Sequence, residues 1–519
     1  MPKKWTFLVA AAVAATASAC TTSTGSATGS PAGDAPGSGT IRAALTSDVT
    51  TFDPAKATGA SDDILAQLRY QTLVARDSDG KVLPALAESW TQAPTVVTLT
   101  LRADATCSDG KSLTASQAAA SLRRYADPAT GSTASAIVFG PEGKPTFAAD
   151  DAARTITVTV AQPWSDLLPA LSSVQTGIVC SPGLADLKAL AAGDVPGAGT
   201  GAYTLADVQR GAAYGLDLRP DFKSFPTYAQ QPPGAPARTL RFSVVNNEST
   251  IANQLQTGQL DFAPLTGPDA ARFTDQAKYT TLAVPLIRFF VTFNERPGHP
   301  GSDPAVRKAI AQALDPAAFD KVFGGKGRLM ASYVDPSAPC ANTDASVLTA
   351  PDPAAAEAAL TGVRIKVTGP NAVAGGAGND YVQAALKAAG ADVTLSNLDN
   401  ATWATNTLGN KGEWDVNVFA YISGSLTYGA AYFTGAEPPA GRNFGAVDNP
   451  AFLSGFAEAL ETVDPKAKCA AWTDAQRALL AAHDIVPLST VNVSYVSRKG
   501  IAVAAPDGMM DAGSLRIDG

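Results

Sequence analysis

Lys3 and Lys4 lead into an apolar run from Trp5 to Ala19 that ends in the small residues Ala17, Ser18 and Ala19, with Cys20 immediately after. A charged start, a short apolar core and a small-residue exit make a secretory signal over residues 1–19, removed from the mature protein. The run is too short for a transmembrane helix, which needs about 20 apolar residues. Export places the chain in an oxidising compartment, and that constrains its cysteines. There are 5; setting Cys20 aside leaves Cys107, Cys180, Cys340 and Cys469, an even set that reads as two disulfides. Four cysteines allow three pairings, and the sequence does not choose among them; four buried thiols are the alternative. If the chain forms two lobes, pairing within each lobe favours Cys107–Cys180 and Cys340–Cys469.

The cysteine just past the cut resembles that of a bacterial lipoprotein signal. This implies Cys20 as the diacylglyceryl acceptor and an anchor on the outer face of the cytoplasmic membrane. Ala17-x-Ala19 also suits ordinary cleavage, which leaves a free secreted protein. Residues 20–39 are dominated by Thr, Ser, Gly, Ala and Pro and read as a flexible tether. Order is expected to begin at the alternating strand Thr40–Leu45. The 519 residues allow two or more domains, and 45% apolar against 17% charged residues is a globular composition. A net charge of −8 argues against nucleic acid as a partner. No later stretch reaches membrane-spanning length, so membrane contact is expected through the lipid anchor alone.

Helix ends are legible. Asp303 caps a helix opened by Pro304, with Val306, Ile310 and Leu314 on one face. Ser249 or Thr250 caps another, with Ile251 and Leu255 inward and Gly258 at its stop. Asp380 starts a third that ends at Gly390. This third helix lies between the strand-like runs Val363–Val367 and Ala391–Leu395, a βαβ unit with parallel strands. The run Trp414–Tyr421 can pair beside them. Residues 90–160 are turn-rich with alternating strands. The chain therefore reads as mixed α/β with two differently built regions.

Catalytic groups are scarce. The two histidines are His299, in a loop expected to be exposed, and His483, at the end of an Ala-rich helix where a cation suits the C-terminus. Neither zinc spacing nor a Ser-His-Asp set is present. Gly197–Gly201 follows no apolar strand and reads as a turn, and Gly375–Gly378 lacks the Gly-Lys-Ser/Thr of a phosphate loop. No cofactor and no metal are expected. An exported two-region protein without catalytic groups suits a binder better than an enzyme.

Several blocks carry a more specific likeness. They are Phe52-Asp53-Pro54; Asp79-Gly80-Lys81-Val82-Leu83-Pro84 with Leu86-Ala87-Glu88-Ser89-Trp90; Leu101-Arg102 with Ser108-Asp109-Gly110-Lys111 and Leu113-Thr114-Ala115; Gly199-Thr200-Gly201-Ala202-Tyr203; Leu255 to Asp261; Phe293-Asn294; and Asp303 to Asp315 with Val306-Arg307-Lys308-Ala309. In this order they resemble the extracellular solute-binding proteins of family 5, the oligopeptide- and dipeptide-binding components of ABC importers. The resemblance implies an α/β fold of the two-lobed periplasmic-binding-protein type II (cluster C-like), with an extra subdomain in lobe I. Lobe I would hold residues 40–285, with 488–519 returning to it, and lobe II residues 286–487. Most block residues also read as core or turn, and Arg307 as one end of a structural ion pair.

The resemblance also places candidate solute contacts. These are Asp48, Val49 and Thr50 before the first block; Leu265, Thr266 and Gly267 after Asp261; Phe289 and Phe290, equally readable as core; and the reading loop with Tyr421, Ile422, Ser423, Gly424, Ser425 and Tyr428. Peptide binders carry an acid in that loop, usually after a Trp. Here Tyr421 replaces the Trp and Gly424 stands at the acidic position, with no Asp or Glu between Asp415 and Glu437. An ordinary free peptide is therefore not the expected solute unless Asp48 compensates; a blocked peptide, glycan or other polar solute fits better. The expected protein is a monomeric, lipid-anchored binder that delivers a peptide-like solute to ABC permease subunits. A binder of a non-peptide solute for import or sensing, and an exported hydrolase, are the alternatives. Cys20→Ala is expected to release the protein from the membrane pellet on cell fractionation; retention in the pellet would refute the anchor.

Overall fold

A computed structural model describes residues 39–132, 135–140, 144–371, 373–506 and 509–518; the signal, Cys20 and nearly all of the tether lie outside them. Its backbone is one sheet of ten strands: β1 (Thr40–Leu45), β2 (Tyr203–Gln209), β3 (Ala213–Leu218), β4 (Thr239–Val244), β5 (Phe262–Leu265), β6 (Tyr279–Phe293), β7 (Arg364–Pro370), β8 (Asp392–Leu398), β9 (Val416–Tyr421) and β10 (Ile485–Arg498). Their order is β8-β7-β9-β6-β10-β5-β1-β4-β3-β2.

Two of these strands are unusually long. β6 and β10 run antiparallel from Tyr279↔Arg498 to Thr292↔Ile485. The far half of β6, Arg288–Phe293, carries β9, and the far half of β10 carries β5 through Phe262↔Ser497 to Leu265↔Ser494. Each half of the sheet thus hangs on opposite ends of one two-stranded ribbon. Pro285 and Pro487 border the two interruptions of that ladder, where a residue without an N–H donor is tolerated. The half holding β7, β8 and β9 is the expected βαβ unit, with Arg364↔Asp392 to Pro370↔Leu398 in parallel register.

The first lobe has a second layer. Ala87–Ala93, Val96–Leu101, Thr155–Thr159 and Thr146–Asp150 form a separate four-stranded sheet. It buries Leu99, Leu101, Ile156 and Val158 against Ala118, Leu122 and Tyr125. Those last residues lie on the helix Ala115–Ala126, in the stretch read from sequence as strands and turns. Its start is signalled by a reciprocal capping box, Thr114 with Gln117, which outweighs the turn residues around it. The second lobe has two cores. One packs Phe289, Ile310, Val367 and Leu386; the other is aromatic, with Phe290, Tyr333, Trp414, Phe419, Tyr421 and Trp472.

Details differ from the sequence reading for local reasons. The helix Glu248–Thr257 is capped by Asn247, whose side chain accepts from Thr250 N, and not by Ser249 or Thr250. The helix Ala377–Ala388 begins before Asp380, and Gly378 lets its first turn approach Phe319. Gly199 and Gly201 form the expected turn: a Cβ at Gly199 would lie 2.6 Å from the Arg69 carbonyl oxygen. His299 is half-buried, its Nδ1 2.7 Å from Asp415 Oδ1. His483 Nε2 lies 2.8 Å from Thr349 Oγ1, and burial, then Lys308 and Arg307, lower its pKa, so it is a poor cation for the helix end. Arg307 pairs with Glu295 and Asp484, each at 3.2 Å.

The disulfides join Cys107 to Cys180 and Cys340 to Cys469, across separations of 73 and 129 residues. Closing loops of that length contributes roughly 4 and 5 kcal/mol on the chain-entropy account. Cys107→Ala/Cys180→Ala is expected to lower the urea midpoint strongly. A double variant as stable as the native protein would show that the bond contributes nothing.

Candidate functional site

Between the lobes lies a cavity of about 1360 Å³. Its first-lobe wall includes Asp63 and Gln67 from the helix Ala60–Arg69 and Tyr70 just past its end, with Gln71, Asp166, Tyr228 and Asp511. Its second-lobe wall includes Ile422–Tyr428, Tyr432, Arg442, Lys468 and Trp472, and the sulfur bridge Cys340–Cys469. Aromatic faces, amides and hydroxyls from both sides meet there, with a few charges among them, the composition of a solute pocket.

The reading loop is held from behind. The Tyr421 hydroxyl donates to Ser425 O (2.9 Å), and its ring stacks on Tyr428 with centroids 6.0 Å apart. Arg288, buried in β6, donates through Nη1 to Ile422 O (2.8 Å), tying the loop to the ribbon between the lobes. Ser425 caps the turn of helix Leu426–Ala430 by accepting from Tyr428 N (3.1 Å).

Contacts also cross the cleft. Asp166, on the first lobe, accepts from Lys468 Nζ and from the Thr427 hydroxyl of the loop. Burial pushes the Asp166 carboxyl up, but Lys468 and Thr427 outweigh it and hold the group below its ordinary range. Beside it, Ser165 N donates to Leu460 O and Ser165 Oγ to Ala459 O, both at 2.9 Å. The lobes are in contact at this edge.

Of the residues placed at the cleft by sequence, the cavity is lined by Ile422, Ser423, Gly424, Ser425 and Tyr428. Tyr421 is buried behind them, 3% exposed. The others lie elsewhere. Asp48 accepts from the Tyr214 hydroxyl, Val49 is in the core, and Thr50 donates to Asp62 through N (2.7 Å) and Oγ1 (2.6 Å). That loop is strapped to the start of helix Ala60–Arg69, and the neighbouring Ala57 and Thr58 reach the cavity instead. Leu265 packs on Ile251 and Leu255, while Glu248 accepts from Thr266 N (3.1 Å) and Gly267 N (2.6 Å) and closes their loop on a helix terminus. Phe289 and Phe290 point to opposite faces of β6, as strand neighbours must. Phe289 stacks on Phe323 (5.3 Å between centroids) and Phe290 packs on Phe419 (5.1 Å), so both are core. Sequence reading did not single out Asp63, Asp166, Arg442, Lys468 or Trp472. They come from segments far apart in the chain, and no local pattern marks them.

The profile of the bacterial extracellular solute-binding proteins, family 5 Middle, matches residues 81–436. The chain belongs to this family. A substrate-binding protein from Microbacterium hydrocarbonoxydans, solved in complex with 4-hydroxybenzoate hydrazide, is 37% identical, covering 92% of this chain and 100% of that one with a TM-score of 0.78. The substrate-binding protein CtaP from Listeria monocytogenes shares the fold at 18% identity and a TM-score of 0.77, over 92% of this chain and 99% of that one. The glutathione-binding protein GsiB of Escherichia coli K12 is 29% identical over 303 residues, 57% of this chain and 56% of that protein, so the chain spans little more than half the length of the curated relatives it matches. Among the described residues, no helix of this family member is long and apolar enough to cross a membrane.

Burial, and then the negative Asp62 beside it, push the Asp63 carboxyl up to about 7 from 3.8. Its hydrogen-bond partner is an amide, Gln175 Nε2 at 3.2 Å. The folded protein thus keeps a proton there that the unfolded chain has lost, and stability from this group falls as pH rises from about 4 through 7. Asp63→Asn removes that loss. The melting temperature of the variant relative to the native protein is expected to be higher at pH 8 than at pH 5; an equal offset at both would contradict the assignment.

Proposed function

We propose that this protein is an extracytoplasmic solute-binding lipoprotein that captures a peptide-like solute between its lobes and delivers it to the permease subunits of an ABC transporter. Lobe I is taken as residues 40–285 with 488–519 returning, and lobe II as 286–487. Cys20 carries the lipid that holds it to the outer face of the cytoplasmic membrane, and the protein works as a monomer. It does no covalent chemistry.

One observation carries this reading: a single cavity lined from both lobes, whose halves of the sheet meet in β6 and β10. A solute touching both walls stabilises the closed arrangement relative to the open one, and the ribbon lets the lobes move as bodies. The glutathione-binding relatives support a peptide-like solute. A second reading, a small aromatic acyl compound, is favoured by the hydrazide held by the 37% identical relative and by the aromatic faces of Tyr70, Tyr428 and Trp472 here.

Native mass spectrometry of freshly exported protein tests the function. A small molecule should leave with the protein and, when added back at about 100 times its Kd, stabilise it by about 2.7 kcal/mol. If no small molecule is carried and neither glutathione, short peptides, 4-hydroxybenzoate hydrazide nor glycans shift the melting curve, the reading fails.

A further inference from the structure

Resting on the reading that a solute closes the cleft, we propose that the solute is amphoteric, with an anionic oxygen group received by Arg442 and a protonated nitrogen received by Asp63. Most charges around the cleft already have partners. Asp166 is held by Lys468, and Arg76 acts on the same carboxylate. Asp511 accepts from the Tyr228 hydroxyl and from Gly513 N (2.9 Å). The two acids that flank the reading loop in sequence are also engaged. Asp415 lies 2.7 Å from His299 Nδ1 and accepts from Lys366 N (2.8 Å). Glu437 accepts from Arg296 Nε at 2.8 Å.

Arg442 is left without a carboxylate among the described residues. Its guanidinium is fixed, lying 4.3 Å from the ring centroids of both Tyr428 and Tyr432 and donating to the Tyr432 hydroxyl. Both rings and the arginine line the cavity. A planar, pre-oriented guanidinium of this kind is matched to a carboxylate or a similar oxyanion. On the opposite wall, Asp63 has an amide and a like charge for neighbours and, among the described residues, no cationic partner. Burial and the neighbouring Asp62 raise its pKa, and a cation brought into contact would lower it. The acid absent at Gly424 therefore has a counterpart on the other lobe. A solute bridging Asp63 and Arg442 adds two charge-assisted contacts only when the lobes are together, so the same groups read the solute and favour closure.

Calorimetry with a library of di- to tetrapeptides, each free, N-acetylated and C-amidated, tests this, with 4-hydroxybenzoate hydrazide and maltotriose as neutral probes. The best free peptide should bind at least about tenfold tighter than either blocked form. Arg442→Gln should abolish the preference for acid over amide, Arg442→Lys should restore part of it, and Asp63→Asn should abolish the preference for amine over acetamide. Blocked forms that bind as well as free ones, or preferences that persist in the variants, overturn the proposal. Tight binding of a neutral probe alone overturns it while leaving solute binding intact; the absence of binding by every compound counts against both.

Discussion

The antiparallel pairing of β6 with β10 is the interaction on which the rest of the structure depends. Among the described residues, these are the two strands of the sheet long enough to serve both lobes, and each carries the strands of one lobe on its far end. A ribbon of two strands resists shear along its ladder but bends easily across it, and its prolines sit where the ladder is interrupted. Arg288, within the ribbon, holds the backbone of the reading loop at Ile422. That bond ties the backbone of the loop directly to the ribbon between the lobes.

The walls of the cleft are stiffened in ways that suit an exported protein. Cys340–Cys469 ties the start of a long helix to the segment behind the cavity, and both cysteines line it. Cys107–Cys180 ties the extra layer of the first lobe to the loop that meets Gly199. Polar groups at the cleft include some satisfied across the lobes, such as Asp166 with Lys468 and Thr427, and some that line the cavity without a counter-ion among the described residues, Asp63 and Arg442 among them. An unpaired charge in a closing, water-excluding space is costly, which is why the leftover groups point to the solute more directly than the paired ones do.

Much of this was legible in the chain. The βαβ unit followed from apolar periods of 2 and 3.6 between turn residues, the Asp303–Pro304 helix start from its cap, and the disulfide partners from export combined with two lobes. Ile422–Ser425 and Tyr428, which line the cavity, were placed at the cleft by the family resemblance, in a Gly- and Ser-rich run that is too polar for a core strand. What sequence misplaced were side chains whose role depends on which face of an element they occupy. Phe289 and Phe290 are aromatic whether they face a solute or a core, and here the packing of Phe319, Phe323 and Phe419 claims them. Asp48 does not line the cavity, because Tyr214 and the Thr50–Asp62 contacts hold its loop away from the cleft. Arg442 and Lys468 were invisible because their meaning lies in partners that are distant in sequence or missing altogether.

The central claim is that one solute engages both lobes at once. Hydrogen exchange of the backbone amides, measured with and without the solute that the protein carries from export, tests it most directly. Slowed exchange at Tyr70–Thr72 of the first lobe and at Ser423–Tyr428 of the second, rising together with occupancy, is the predicted result. Protection confined to one lobe, with the other unchanged at saturation, would contradict the account.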